Sequence, residues 1–256
     1  MSYKDTVLPI VRRTREISLP SFGKAGITDV KNEGHAADVV TEIDGKIERF
    51  LREELAKAHP EITFVGEEEG GDRRAPLFWL CDPIDGTGHY TRGLNFCSTM
   101  LALIKDGEVI FSAIYDFITD EMYWAEKGLG AFINEKPMHV STRALNEAYV
   151  AFEVRTTPGR NTYILSELEK RTGTIRPIAA GWVFRMIASG KLDGAIMCEP
   201  WGLDYDFAPG TFLVKEAGGI VKNFNKDTYD YRDLNFYAGA PKTAQGLLDL
   251  YNEYHE

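Results

Sequence analysis

The chain is expected to be a mixed α+β protein, with helices first, then a largely antiparallel sheet, then an alternating β/α second half. Three observations predict this order. Apolar residues near the start recur at helical spacing. Between about residues 62 and 140, short apolar runs follow one another across Gly-rich and Asp-Gly turns. From about residue 148, strand-like and helix-like segments take turns. A length of 256 residues suits a single domain, 1–256, made of two lobes at about 1–145 and 146–256. No repeat, low-complexity run or flexible linker separates them.

Residues 4 to about 22 carry Val7, Ile10, Val11 and Ile17 at helical spacing, with Pro9 near the start and Pro20 near the end, so one amphipathic helix is expected. Residues 23–36, rich in Gly and charge, are expected to form a loop or loose hairpin. A second helix carries Ile43, Ile47, Phe50, Leu51 and Leu55, with Thr41 as N-cap and Asp44 in capping-box register. Ile62 to Val65 is a strand that runs into Gly66 and the acidic Glu67-Glu68-Glu69. Leu77 to Cys81 is a buried strand that ends abruptly in Asp82. Ser98 to Ile104 and Val109 to Tyr115 flank Asp106-Gly107, a hairpin signal. Strands at Met122–Ala125, Gly130–Ile133 and Met138–Val140 follow.

The second half predicts strands at Tyr149–Val154, Ile175–Ile178, Gly194–Cys198, Ile220–Phe224 and Asn235–Ala238. Helices are expected around Tyr163–Leu168, at Trp182–Ser189, from Asp206 to Ala217 before Gly218-Gly219, and after Pro241.

Apolar content of 44% and charged content of 27% are those of an ordinary globular enzyme. A net charge of −10 without a basic stripe argues against a nucleic-acid polymer as partner. It also opposes an anionic substrate at long range, unless bound cations reverse the sign locally. Cys81, Cys97 and Cys198 lie in apolar runs, the pattern of buried reduced thiols. With no apolar stretch of about 18 residues and no signal-peptide pattern, no membrane role is expected and the expected location is cytoplasmic.

Chemistry concentrates in Asp82-Pro83-Ile84-Asp85-Gly86-Thr87. Pro83 cannot donate to a ladder and Asp85-Gly86 is turn chemistry, so both carboxylates are expected on a turn where they converge. At about 4 Å and an effective dielectric near 20, two such charges repel by roughly 4 kcal/mol. A lone Asp-Gly is an ordinary turn, but the full string directly after an apolar strand points to a divalent metal site. If the strand before Glu67 lies beside the one before Asp82, Glu67 or Glu68 faces Asp82 and Asp85; otherwise the acidic run is a solvated loop. Asp206, at the head of a late helix, is first of all an N-cap contributing about 1 kcal/mol. It is also placed to reach a metal across the seam between lobes, because Ala208 and Gly210 permit close approach. Asp44 is, by spacing, a capping residue. The five histidines are scattered without zinc spacing. An all-oxygen set of Glu67, Asp82, Asp85 and Asp206 selects Mg²⁺ or Mn²⁺, and two such ions about 3.5–4 Å apart serve in-line attack on phosphorus.

These segments resemble the inositol monophosphatase family of the lithium-sensitive, Mg²⁺-dependent sugar-phosphatase superfamily. The resemblance is carried by Val40-Thr41-Glu42-Ile43-Asp44, Gly66-Glu67-Glu68, Asp82–Thr87 and, less closely, Tyr205-Asp206-Phe207-Ala208-Pro209-Gly210, in the family's order over most of the chain. It implies a layered α-β-α-β-α sandwich of the sugar-phosphatase type. By the same resemblance, Glu67, Asp82 and the Ile84 carbonyl hold a first metal. Asp82, Asp85 and Asp206 hold a second, and Glu67 helps with a third. Thr87, backed by Asp44, orients and deprotonates the attacking water. Gly86 and Thr87 N–H groups cradle the phosphate, Glu68 stands behind the metal ligands, and Glu199 binds a substrate hydroxyl. The implied reaction is direct hydrolysis of a small phosphomonoester by metal-activated water, with two or three Mg²⁺ ions, in a homodimer.

Myo-inositol 1-phosphate is the leading substrate expectation. Fructose 1,6-bisphosphate, 3′-phosphoadenosine 5′-phosphate and histidinol phosphate are alternatives. A regulator that binds metal or phosphate without turnover is the alternative of another class, and the intact acidic set with Thr87 argues against it. The chain departs from the family pattern at Tyr205 and Pro209, around Ala179-Ala180-Gly181-Trp182, and between Asp193 and Glu199. It departs again at Gly88–Gly93, where His89 and Arg92 become candidate substrate contacts.

Overall fold

The computed structural model describes residues 2–30, 39–176 and 179–254. Helix α1 (Lys4–Arg13) buries Val7 and Val11 and stops at Thr14, whose hydroxyl turns back onto the Val11 carbonyl at 2.7 Å. The chain resumes as α2 (Arg15–Ser18) and a 3₁₀ turn, Leu19–Ser21. The single helix expected over 4–22 is thus broken, because a threonine hydroxyl competes for a helical carbonyl and Pro20 lacks an N–H. Strand β1 (Ile27–Val30) pairs antiparallel with β2 (Val39–Thr41). The remainder of the expected loop or hairpin, 31–38, lies outside the described residues. Helix α3 (Glu42–Ala58) buries Ile43, Ile47, Leu51 and Leu55 along one stripe.

The first sheet follows: β3 (Thr63–Gly66), β4 (Leu77–Asp85), then after the short α4 (Thr87–Tyr90) β5 (Ser98–Lys105), β6 (Glu108–Asp116), β7 (Glu121–Glu126), β8 (Gly130–Ile133) and β9 (Lys136–Met138). Their spatial order is their chain order, and every pair is antiparallel except β3–β4. The second half gives β10 (Tyr149–Val154), α5 (Arg160–Arg171), β11 (Gly173–Ile175), α6 (Ala180–Ala188), β12 (Gly194–Cys198), α7 (Asp204–Glu216), β13 (Ile220–Asn223), β14 (Phe236–Gly239) and α8 (Pro241–Asn252). The second sheet runs β11-β10-β12-β14-β13, parallel through β12 and antiparallel beyond it. The strand expected at 175–178 lies earlier, because α5 ends with the Thr172 hydroxyl on the Leu168 carbonyl and Gly173 bonds Ala148 at once. Residues 177–178 lie outside the described residues.

The layers follow from which faces are apolar. Helices α1 and α3 pack on the Trp79, Leu101 and Phe111 face of the first sheet. Helices α6 and α7 fill the space between the sheets, and α5 and α8 cover the far face of the second. This is the expected α-β-α-β-α sandwich. Helix α7 is buried from Phe207 to Val214, as a helix covered on both sides must be. Gly210 makes that possible, since a Cβ there would lie 2.5 Å from the Phe184 side chain on α6. The three cysteines are buried and unpaired, as expected from their apolar settings, and burial pushes the Cys198 thiol up to about 12.

Candidate active site

Strand β4 does not end at Cys81 as expected; it continues through Pro83 to Asp85 with one residue too many. Asp82 faces Met100 and Asp85 faces Ser98, so three steps on β4 match two on β5. In a regular strand, residues three apart point to opposite faces. One extra residue returns them to the same side. Pro83, which has no N–H to give, sits in this bulge, and the Thr99 hydroxyl holds its carbonyl at 2.9 Å. The bulge converts a buried strand into a platform with two carboxylates side by side.

Strands β3 and β4 are indeed neighbours, with Gly66 opposite Cys81. The Glu67 N–H donates to the Cys81 carbonyl at 3.0 Å, which brings Glu67 beside Asp82, and the two side chains are hydrogen-bonded. Glu68 follows in the same turn, its N–H 2.8 Å from Glu48 Oε2.

Asp206 arrives across the seam. It is not the N-cap expected of it: α7 starts at Asp204, and Asp206 reaches back from the third helical position to the Leu203 N–H at 2.5 Å. Carboxylate oxygens of Asp82, Asp85 and Asp206 all lie within 4.8 Å of one another. Tyr205 of the same turn hydrogen-bonds Glu67, so α7 closes on the acidic run from the other side.

The electrostatics are those of crowded, dehydrated anions. Burial, then the charges of Glu67, Asp206 and Asp85, pushes Asp82 far above the usual carboxylate range. Burial, then the charges of Glu67 and Asp85, raises Asp206 likewise, against the Leu203 N–H. Asp85 is raised to about 7 by burial, opposed by the Gly181 and Ala180 N–H groups and by Arg185. Those N–H groups, at the start of α6, lie 2.8 and 3.1 Å from its oxygens, where a helix start favours an anion. One oxygen of Asp82 is buried without a hydrogen-bond partner. An orphaned carboxylate oxygen among hard oxygen donors fits a divalent cation of the Mg²⁺ or Mn²⁺ type.

Thr87 Oγ1 lies 2.9 Å from Asp44 Oδ1 and 2.8 Å from the Ile84 carbonyl oxygen. Asp44 also completes the capping box of α3, taking the Thr41 N–H at 2.9 Å on Oδ2. Asp44 is thus the capping residue its spacing predicts, and it also meets Thr87. Gly86, at φ 80°, turns the chain where a Cβ would fall 2.5 Å from the Phe96 carbonyl. The first N–H groups of α4 then point away from their own helix.

Glu199 is not brought to this cluster. It is exposed, at φ 52°, with its carboxylate near the Asn161 amide at 3.3 Å and the Thr157 hydroxyl at 3.5 Å. It lines a cleft of about 450 Å³ with Cys198 and Tyr251, on the α5–α8 side. One strand over, Glu153 faces the seam instead: its carboxylate takes the N–H groups of Trp201 and Gly202 at 2.5 and 3.0 Å and adds to the negative field at Asp206. Burial raises Glu153 above the usual range. It lines a cleft of about 420 Å³ with Trp201, Arg176, Ala179 and Ala180, beside Asp85. Strand alternation was the only sequence signal for Glu153, and it does not separate an inward carboxylate from an outward one. Trp182 packs edge-on against Phe96, which in turn packs against His89. Arg92 bonds the Gly88 carbonyl at 2.6 Å.

Carboxylates gathered from both halves of a layered sandwich, beside a threonine backed by an aspartate, define a metal-dependent phosphatase. Comparison with known proteins agrees. The family model for the inositol monophosphatase family matches residues 6–256. An inositol-1-monophosphatase of Rhizobium meliloti is 34% identical over 217 residues, 77% of this chain and 76% of that one. A fructose-1,6-bisphosphatase/inositol-1-monophosphatase of Thermotoga maritima is 31% identical over 262 residues, covering 100% of this chain and 98% of that one. The solved Thermotoga maritima IMPase superposes with a TM-score of 0.86 at 27% identity, covering 99% and 98% of the two chains. The chain belongs to the inositol monophosphatase family.

Proposed function

We propose that this phosphatase hydrolyses a small phosphomonoester, with myo-inositol 1-phosphate the first candidate, by direct in-line attack of water and without a covalent intermediate. The observation that carries the reading is the convergence of Asp82, Asp85 and Asp206 within 4.8 Å. Two or three Mg²⁺ ions, for which Mn²⁺ can substitute, are the proposed cofactors. Their holders are Glu67, Asp82, the Ile84 carbonyl, Asp85 and Asp206, with Glu68 behind them. When bound, such ions lower the pKa of water, neutralise phosphoryl oxygens and stabilise the leaving alkoxide.

The chain's own part is orientation and proton handling. Asp44 Oδ1 draws the Thr87 proton toward itself, which leaves a Thr87 lone pair to accept a hydrogen bond from the attacking water. Gly86 and Thr87 N–H groups face the phosphoryl oxygens. The cleft at Trp201, Ala179 and Ala180 takes the alcohol. The Thermotoga relative is named for both fructose-1,6-bisphosphatase and inositol-1-monophosphatase activity, so a sugar bisphosphate is the second substrate to test.

We further read the two halves, about 1–145 and 146–256, as one folding unit, supported by the α6–α7 layer that both sheets cover. No helix among the described residues is long and apolar enough to cross a membrane; the proposed setting is the cytoplasm, as a lithium-sensitive homodimer. The test is phosphate release with Mg²⁺ over a panel of phosphomonoesters, with Asp85→Asn as control. Turnover lost in a folded Asp85→Asn protein supports the reading. Turnover unchanged in that variant places the activity elsewhere.

A further inference from the structure

Helix α3 carries Asp44, Glu48 and Arg52 at successive four-residue intervals, hence on one face. The first holds Thr87. The second and third hold the opposite wall of the site. Glu48 is 0% exposed, yet no reaction step described above uses it. Its Oε2 accepts the Glu68 N–H at 2.8 Å, and its Oε1 accepts the Glu69 N–H at 3.0 Å and Arg52 Nη2 at 2.8 Å. Arg52 also holds the carbonyls of Phe64 and Gly70 at 3.1 Å each and lies over the Phe64 ring. A Cβ on Gly66 would fall 2.0 Å from the Glu48 carboxylate. The acidic turn is therefore wrapped around a buried anion.

We propose that Glu48 is a positioning residue for the metal centre: it sets Glu67 against Asp82 without touching the ion. The physical need is clear. Glu67 carries like charge toward a cluster that already repels anions, while the next carboxylate but one, Glu69, turns out to Arg49 at 3.0 Å; an unheld turn would swing Glu67 into solvent as well. Glu67 is fixed on its N-terminal side by the ladder bond to Cys81. Glu48 fixes the residues that follow it. Cation affinity then depends on a carboxylate outside the coordination shell. This rests on Glu67 being a ligand, as in the function proposed above.

The experiment is Mn²⁺ titration by electron paramagnetic resonance on the wild type, Glu67→Gln and Glu48→Gln, with folding checked by circular dichroism. The dependence of activity on Mg²⁺ is measured alongside. Glu48→Gln is expected to weaken Mn²⁺ binding about tenfold and to raise the Mg²⁺ needed for half-activity by a similar factor. At saturating Mg²⁺ the substrate KM stays near that of the wild type. A folded Glu48→Gln protein with wild-type Mn²⁺ affinity, while Glu67→Gln has lost it, overturns the proposal and leaves the ligand set standing. Wild-type affinity in Glu67→Gln removes the ligand reading and this inference with it. Should Glu48→Gln not fold, Arg52→Met keeps both N–H bonds but loosens the carboxylate; its affinity is expected to fall, and no change in it overturns the proposal equally.

Discussion

Asp44 meets Thr87 through one oxygen only. Oδ1 lies 2.9 Å from the Thr87 hydroxyl, while Oδ2 is occupied by the Thr41 N–H at 2.9 Å and the Thr41 hydroxyl at 2.6 Å. One oxygen thus caps α3 and the other meets Thr87, to which the proposed mechanism gives the proton relay, and substitution separates the two contacts. Thr87→Val removes only the second: kcat is expected to fall about 100-fold or more, the scale of a lost proton relay, with the melting temperature near that of the wild type. Asp44→Asn disturbs both, and its kcat loss comes with about 1 kcal/mol of destabilisation. Urea unfolding and steady-state kinetics on both variants make the check. Equal destabilisation in the two would show that the cap and the relay are not separable.

Asp82 is buried among like charges with one oxygen unpartnered. Replacing it by Asn removes a repelled, dehydrated charge, so Asp82→Asn should be more stable than the wild type in EDTA. It should also gain nothing from Mg²⁺, which stabilises the wild type by binding the native state alone. Differential scanning fluorimetry with and without Mg²⁺ reads both effects. A variant less stable in EDTA would mean that the Asp82 carboxylate supports the fold rather than straining it.

The pH dependence follows from Asp85, at about 7 in the fold against an ordinary 3.8. Between these values the native state holds a proton that the unfolded chain has released. The resulting stability is fully present below about 4 and is lost as pH rises through about 7. The metal-free wild type should therefore lose stability relative to Asp85→Asn as pH rises across that window. Mg²⁺ should raise the melting temperature most at the upper end, because the ion takes the place of the proton. Melting curves for both proteins in EDTA and in Mg²⁺ test this. Parallel pH profiles for the two proteins in EDTA would rule it out.

Gly181 ties the first sheet to helix α6. Its N–H holds Asp85 at 2.8 Å, and a Cβ there would lie 2.4 Å from Ser98 Oγ and 2.8 Å from Asp85 Oδ2. Gly181→Ala must displace that carboxylate or the start of α6. Metal affinity should fall about 10–100-fold, the usual range when a partner behind a ligand is lost. Isothermal titration with Mn²⁺ measures it, and an unchanged affinity would show that Asp85 is held by its own strand alone.

Local patterns in the chain carried the order of elements and most of the cluster, and they failed where long-range geometry decides. The Asp-Pro-Ile-Asp string marked the site, but not that β4 resumes beyond Pro83, since a bulge depends on the partner strand. Spacing alone reads Asp44 as a cap, and only the three-dimensional arrangement shows that its second oxygen also meets Thr87, forty-three residues on. Glu48 sits one turn beyond Asp44, yet helical periodicity cannot tell a buried carboxylate from a solvated one. Asp206 kept its place in the cluster although its helix begins two residues earlier than expected.

Glu199 and Glu153 divide the last question, which carboxylate serves the alcohol. Counting back from Asp206 favours Glu199, but its carboxylate faces Asn161 and Thr157 on the α5–α8 side. Glu153 pairs with Met197, whose side chain packs between the sheets, and so it faces the seam. There it fixes the backbone of Trp201 and Gly202, and Trp201, 45% exposed, walls the cleft beside Ala180. Loss of a charged acceptor for two N–H groups should loosen that wall. Glu153→Gln is expected to raise KM about tenfold, equivalent to roughly 1.4 kcal/mol, while Mn²⁺ affinity is preserved. Glu199→Gln should leave KM within about twofold, because an exposed polar contact contributes little. Kinetics on the best substrate of the panel decide between them: a rise in KM confined to Glu199→Gln would place the alcohol against Glu199 and require its loop to turn inward in the complex.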